Sequence, residues 1–509
     1  MINEILGEKN MLGKHYLSMG IGLLVLLYIV TSIHYCINFP VNADDVIICL
    51  TDLQRYLDGE ISLIDYIFLK KNRNPTIVLR IINYLVYAFS GKVNFALVPI
   101  IANILYAFFV FTLSYKSRFL KFFWIIPILL FIPSTDFINW SSAVASYAFP
   151  AIFLFIFLER IPNIKTRLEM LWLLPMITLM TYSFANGFIA CLVLIVYCLY
   201  LLWLKKADLF TVTSIVAICI LNIIVFLSGF EGQNNLSFSW QKFEFALAFC
   251  SNYIKYISTS ENIYLAMLVT ALLSSNTIYI LIRNYRDIFV IKRAFIIGFI
   301  GATAIVVALG RCGSPILCNP FFERYEIFGL IFLVFNLMLI LKFNHKYLQY
   351  AFLAFILIVS FFRIKENLYE LNYEKYLRTR QASVGYLTDN YSIRAYSDEM
   401  RDICRENYSK SVNEGLTLPL SGITLEMTQI KGNKDDFREL DFKFSRLINT
   451  EAFSLLRGWK LKGGKVPMIV WHNNYPYKVK PTFNPKNQSE FFVILPRTTK
   501  SKIKISTYK

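Results

Sequence analysis

The chain has 509 residues, 56% of them hydrophobic and 16% aromatic, a composition that excludes an ordinary soluble domain and points to an integral membrane protein. A net charge of +18 would suit a nucleic-acid binder, but the basic residues fall mainly in short loops between apolar blocks, which argues against nucleic acid as a partner. The nine cysteines follow neither zinc spacing nor the pattern of a disulfide-stapled scaffold.

The first apolar block, residues 17–37, is longer than the core of a secretory leader and no small-x-small cleavage pattern follows it. It reads as a retained helix, with Lys9 and Lys14 marking a cytoplasmic N-terminus. The chain then runs into "NADDVI", which puts Asp44 and Asp45 on the far side of the membrane. Residues 75–90 form the next apolar run. Crossing a hydrocarbon core takes about 20 residues, and this run is shorter and carries Arg80 and Asn83 in its middle, so it reads as a juxtamembrane helix on the outer surface.

With that choice, the basic clusters at Lys116, Arg118 and Lys121, at Arg160, Lys165 and Arg167, at Lys205 and Lys206, at Arg283, Arg286, Lys292 and Arg293, and at Lys342 and Lys346 all become cytoplasmic, as the positive-inside rule demands. The crossings are then residues 17–37, 93–115, 118–133, 147–158, 171–184, 187–204, 209–228, 262–282, 294–309, 325–341 and 348–362, about eleven in all. The expected fold is an α-helical polytopic membrane protein with a transmembrane domain over 1–362, a first periplasmic loop over 38–92, and a small C-terminal periplasmic α/β domain over 363–509. The tail opens with a helical stretch around 366–386. Short β-like runs follow, "KVPMIVWHNN", "EFFVILPR" and "KIKIST" among them.

In this topology the polar residues other than topogenic charges collect on the outer side. They are Asp44 and Asp45; Asp136, Asn139 and Trp140 in "PSTDFINWSSAVASYAFP"; Asn186 in "TYSFANG"; Glu231 and Glu244; and Arg311, Glu323, Arg324 and Tyr325 in "GRCGSPILCNPFFERY". Each has an ordinary structural explanation. An Asp before an amphipathic segment serves as an N-cap, an Arg at a helix end snorkels to head groups, Trp140 suits an aromatic belt, and Asn186-Gly187 suits a tight turn. Cys312 and Cys318 share a short outer loop, where a disulfide and two free thiols are both open. The four histidines are too scattered for a metal site.

Carboxylates and guanidinium groups at one membrane interface also suit a specific reaction. A hydroxyl attacks the anomeric carbon of a sugar carried on a lipid phosphate, an Asp accepts the hydroxyl proton, and Arg stabilises the departing phosphate. Such a single displacement inverts the anomeric configuration.

An acidic pair just after the first helix, followed by surface helices and by the "YSFANG" turn and the "GR…ERY" loop, resembles the GT-C fold glycosyltransferases that use polyprenyl-phosphate sugars. The chain also resembles bacterial members that decorate surface polysaccharide, including the phage-type glucosyltransferases that modify O-antigen. The likeness covers roughly residues 15–362. It implies catalytic roles for Asp44 and Asp45, with Asp44 the preferred base, donor-phosphate binding by Arg311 and Arg324, and substrate contacts by Trp140, Tyr147, Asn186 and Tyr325. The implied partners are a polyprenyl-phosphate-linked sugar donor, a lipid-linked or surface glycan acceptor and membrane lipids, with functional coupling to a donor-lipid synthase and a flippase. Some such enzymes hold a divalent metal on their carboxylates; the sequence supplies no further ligand set, and no metal or other cofactor is expected. Two rivals stand beside this reading, an O-antigen polymerase or other lipid-linked glycan enzyme, and a transporter or flippase, which would show pseudo-repeats and broken mid-membrane helices.

Overall fold

A computed structural model describes residues 2–36, 45–71, 74–131, 144–164, 166–228, 239–256, 262–312 and 318–388, together with short stretches between 404 and 416 and nine strands from 427 onward. The chain divides into two compact units. Met1–His34, Leu53–Leu85 and Leu97–Asn367 form the first; Tyr35–Asp52, Val86–Ala96 and Leu368–Lys509 form the second.

The helices, in chain order, are α1 (Ile2–Cys36), α2 (Asp52–Leu57), α3 (Leu63–Phe68), α4 (Ile77–Ser90), α5 (Leu97–Lys116), α6 (Ile125–Leu130), α7 (Phe149–Arg160), α8 (Arg167–Ser183), α9 (Gly187–Trp203), α10 (Leu209–Ser228), α11 (Trp240–Cys250), α12 (Ile263–Arg283), α13 (Ile288–Arg311), α14 (Glu326–Phe343) and α15 (Lys346–Thr388). Among the described residues eight helical segments are long and apolar enough to cross a membrane, so the chain is a helical, multi-pass membrane protein.

Their surfaces show how the bundle is layered. Only 28% of the apolar window of α1, α12 or α15 is buried in the protein, against 89% for α14. A helix apolar on every side belongs in the middle of a bundle, and α14 takes that place in the first unit. The outer helices expose Leu27, Ile224, Leu272, Ile282, Ile305 and Phe361, an apolar area that a water-soluble surface would not tolerate and that lipid covers at no cost. Buried polar side chains tie neighbours together, because a polar group in this setting must find a partner inside the protein. Tyr28 in α1 donates to Asn103 in α5 at 2.5 Å, Tyr106 in α5 to the Leu130 carbonyl at 2.9 Å, and Thr277 in α12 to Asn336 in α14 at 2.7 Å.

Several expected crossings change. Of the expected 118–133 crossing, the described residues 118–131 form no full-length helix: the chain turns at 117–124, with Phe122 at a positive φ of 65°, and only the six residues of α6 are helical before the described stretch ends. The expected 147–158 crossing extends over Ala145–Asn163, a π-helical turn at Val144–Ala148 leading into α7. The expected 294–309 crossing begins six residues earlier, at Ile288. Charge marked Lys292 and Arg293 as loop, but both pair with Glu159, so the helix carries them inside. The last crossing likewise continues without a break to Thr388. The 75–90 segment is a helix of 14 residues, α4, too short to span.

Between α8 and α9 the chain reverses within Phe184, Ala185 and Asn186. A Cβ at Gly187 would collide with the carbonyl oxygens of Met180 and Thr181, so only glycine allows this approach.

In the second unit, the Tyr35–Asp52 segment contains a π-helical turn, Val46–Thr51. Asn407 donates to the Thr51 hydroxyl at 3.2 Å, Val93 N–H to the Leu416 carbonyl at 2.8 Å, and Phe95 meets Tyr408 with ring centroids 6.0 Å apart. The β-like runs of the tail form strands. Including the short Lys70–Lys71 (β1) and Asn74–Pro75 (β2) of the first unit, they are β3 (Met427–Gln429), β4 (Phe437–Glu439), β5 (Phe442–Asn449), β6 (Phe453–Lys460), β7 (Met468–His472), β8 (Tyr475–Val479), β9 (Thr482–Phe483), β10 (Glu490–Pro496) and β11 (Lys504–Tyr508). They pair into two antiparallel sheets, β5-β6-β10-β9 and β3-β8-β7-β11-β4. Within the second sheet β7 and β8 pair antiparallel from Met468 opposite Val479 to His472 opposite Tyr475.

Candidate functional site

Asp44 and Trp140, with Asp136, Asn139 and Glu231, lie outside the described residues. The other expected site residues fall in both units. Asp45 belongs to the second, Arg311, Arg324, Tyr147, Asn186 and Tyr325 to the first.

Asp45 precedes the Val46–Thr51 turn and is 5% exposed. Its backbone is already helical and its carboxylate makes no capping hydrogen bond. The N-cap explanation therefore fails for this residue, since a cap needs an extended backbone and a side-chain oxygen turned back on the helix N–H groups.

In the first unit, one end of the bundle gathers four chain segments. The π-helical turn brings Tyr147, the α8–α9 reversal brings Phe184, α11 brings Phe245 and Phe249, and the 3-10 turn Glu323–Tyr325 leads Arg324 and Tyr325 into α14. Tyr147 packs edge-on against Phe184 at 4.7 Å, Phe328 at 5.9 Å and Tyr325 at 6.1 Å. Tyr325 in turn touches Phe249 at 5.1 Å and Phe245 at 6.3 Å. The Arg324 guanidinium lies 4.8 Å from the Phe322 ring and 5.4 Å from that of Tyr325, contacts by which aromatic faces hold a cation.

Asn186 is 4% exposed, two residues from Phe184, and among the described residues neither atom of its amide has a partner; the Tyr325 hydroxyl and the Asn252 amide are likewise buried without one there. A buried polar atom costs roughly 1–3 kcal/mol when nothing satisfies it, and a hydroxylated ligand or water would satisfy each of these atoms. Arg311 ends α13 half-buried and forms no ion pair among the described residues. The residue after it, Cys312, is bonded to Cys318, which settles the choice that spacing left open.

Sequence reasoning missed a second charged group at this end. Glu326, the first residue of α14, accepts from Arg363 Nε, and Lys255 Nζ lies 3.7 Å from its other oxygen. Arg363 also donates from Nη1 to the Leu129 carbonyl at 2.8 Å, and Lys255 donates to the Phe321 carbonyl at 3.4 Å. Glu326 and Arg363 are each 1% exposed. The available signal was a carboxylate set at the very start of an apolar block, since ionisable residues at that depth are kept only with partners. Asn252 is the other omission: a Cβ at Gly329 would run into its side-chain oxygen.

Among the described residues no group of three or more His, Cys, Asp or Glu side chains is arranged to hold a metal ion. Comparison of the chain with family models, with curated proteins and with solved structures finds no match.

Proposed function

We propose that the protein is an inverting glycosyltransferase that moves a sugar, read as glucose, from a polyprenyl-phosphate carrier to a surface polysaccharide such as lipid-linked O-antigen, on the periplasmic side of a bacterial inner membrane. The N-terminus is then cytoplasmic and the C-terminal α/β region periplasmic. One observation carries the reading: Tyr147, Arg324 and Tyr325, separated by up to 178 positions in the chain, meet in one buried aromatic cluster beside the Asn186 reversal.

In the proposed reaction the acceptor hydroxyl oxygen bonds to the anomeric carbon as the bond from that carbon to the phosphate oxygen breaks. The hydroxyl proton passes to Asp44 or Asp45. The electron pair leaves with the polyprenyl phosphate, whose charge Arg311 and Arg324 stabilise. Tyr147 and Trp140 stack on the sugar, as rings do on the apolar face of a pyranose, and Asn186 and Tyr325 bond its hydroxyls. Asp45 supports the assignment because it is a buried carboxylate that capping does not explain.

The test is transfer of labelled sugar from polyprenyl-phosphate donor to lipid-linked glycan in membranes holding equal amounts of wild type, Asp44→Asn or Asp45→Asn. A general base contributes roughly 10²–10⁴-fold, so one variant is expected to lose at least two orders of magnitude while remaining inserted. Full activity in both variants would overturn the assignment and favour the polymerase or the transporter.

A further inference from the structure

At the other end of the first unit, Glu159 forms the centre of a second charged cluster. Its carboxylate meets Lys116 Nζ at 3.5 Å, Lys292 Nζ at 3.2 Å and Arg293 Nη1 at 3.2 Å. The three cations come from the end of α5 and the start of α13, and Glu159 from the end of α7. Tyr147, in the turn that starts α7, is twelve positions away, a helical rise of about 18 Å. This cluster is therefore separate from the aromatic site.

Its charge does not balance. A single carboxylate faces three cations, and Arg160 beside it adds a fourth positive charge at an exposed position. The other carboxylate acting on Arg293 is Asp287, and that one is held by Lys342 at 2.8 Å. Lys342 and Arg293 also share the Phe289 ring, at 4.2 and 4.0 Å, so the pair forms the cluster's border. Burying charge is costly unless each group is matched, yet the Arg293 side chain is 5% exposed and its Nε has no hydrogen-bond partner among the described residues. Lys116, at 40% exposure, leaves one side of the cluster open. Two lysines and a guanidinium that converge on one carboxylate match the oxygens of a phosphate, which Arg binds through its fork and Lys as a point charge.

We infer that Lys116, Lys292 and Arg293 form a phosphate-binding site, taking the head group of an anionic phospholipid or a soluble phosphate. The site is independent of the glycosyltransferase reading. Glu159 holds the cations in place when the site is empty and competes with the ligand when it is filled.

The experiment uses the full-length protein in detergent, titrated with phosphatidylglycerol, phosphatidylcholine or inorganic phosphate, and reads thermal unfolding together with lipid retention in native mass spectrometry. Phosphatidylglycerol is expected to bind and stabilise where phosphatidylcholine does not. Removing one cation should weaken binding about fivefold, in Lys116→Ala and in Arg293→Gln; Lys116→Ala carries the test if the buried variant fails to fold. Glu159→Gln should tighten binding, an effect a purely structural ion bridge would not produce. Stabilisation by inorganic phosphate equal to that by phosphatidylglycerol assigns the site to soluble phosphate, and lipid-only stabilisation assigns it to a head group. Equal response to both lipids with none to phosphate, or wild-type affinity in Lys116→Ala, overturns the site.

Discussion

The Glu326–Arg363 pair is where a single side chain matters most to the first unit. Each partner is 1% exposed, and they join α14 to α15 across 37 positions. Glu326→Gln leaves a buried guanidinium without its counter-ion, a change that costs about 3–5 kcal/mol, whereas replacing both partners by apolar groups is often neutral. Thermal unfolding in detergent is expected to show a large loss for Glu326→Gln and recovery of much of it in Glu326→Leu/Arg363→Met. Equal losses in the two proteins would show that the pair contributes stability that apolar groups of similar volume do not replace. Neither residue stood out in the sequence, because Arg363 at the end of an apolar run has the same appearance as a snorkelling arginine. Tyr147 and Tyr325 did stand out, but as members of two loops; their contact depends on where those loops fold.

At the scale of the element, α13 shows how a helix carries charge into a bundle. Asp287 caps it, accepting from the Phe289 N–H at 2.7 Å, and binds Lys342 from the end of α14. Burial pushes this carboxyl up, but the Lys342 ammonium and the N–H groups of Phe289 and Val290 outweigh burial and hold it below its ordinary 3.8. A depressed folded-state pKa contributes stability that is full above the unfolded value and is lost as pH falls through the folded one. Amide exchange in the first turn of α13 is therefore expected to stay slow down to pH 3.8 and to quicken below it, with the pH dependence abolished in Asp287→Asn. Both partners are about one-third exposed, so the effect stays local and small. An unchanged profile in Asp287→Asn would assign the pH response to another group. Hydropathy found this helix but began it at 294, because a one-dimensional scan treats Lys292 and Arg293 as solvent-facing when Glu159 in fact receives them.

At the scale of the whole molecule, the basic connectors predict orientation. Reporter fusions after Lys206, after Arg286 and after Lys346 are expected to be active only as cytoplasmic reporters, and a fusion at Lys509 only as a periplasmic one. A cytoplasmic signal at Lys509 with the internal fusions unchanged would remove the expected 348–362 crossing from the sequence count, because α15 is the apolar helix that follows the Lys346 fusion.

Hydropathy and loop charge by themselves determined that this is a multi-pass helical membrane protein with a strand-rich tail, and roughly where most of its long helices run. Those properties are local: a stretch of about 20 apolar residues partitions into lipid whatever its neighbours do, and alternating runs with turn residues form strands. Only the tertiary structure decided that α14 is the central helix, that Asp45 is buried without capping, that Cys312 bonds Cys318, and that Tyr147, Arg324 and Tyr325 share one cluster. It also decided that Glu159 gathers three cations and that Glu326 holds Arg363. The aromatic cluster and the two charged groups are pairings between distant positions. In a membrane protein their physical basis is the high cost of a buried polar group with no partner, and the partner's identity depends on which helix ends meet rather than on the residues on either side in the chain.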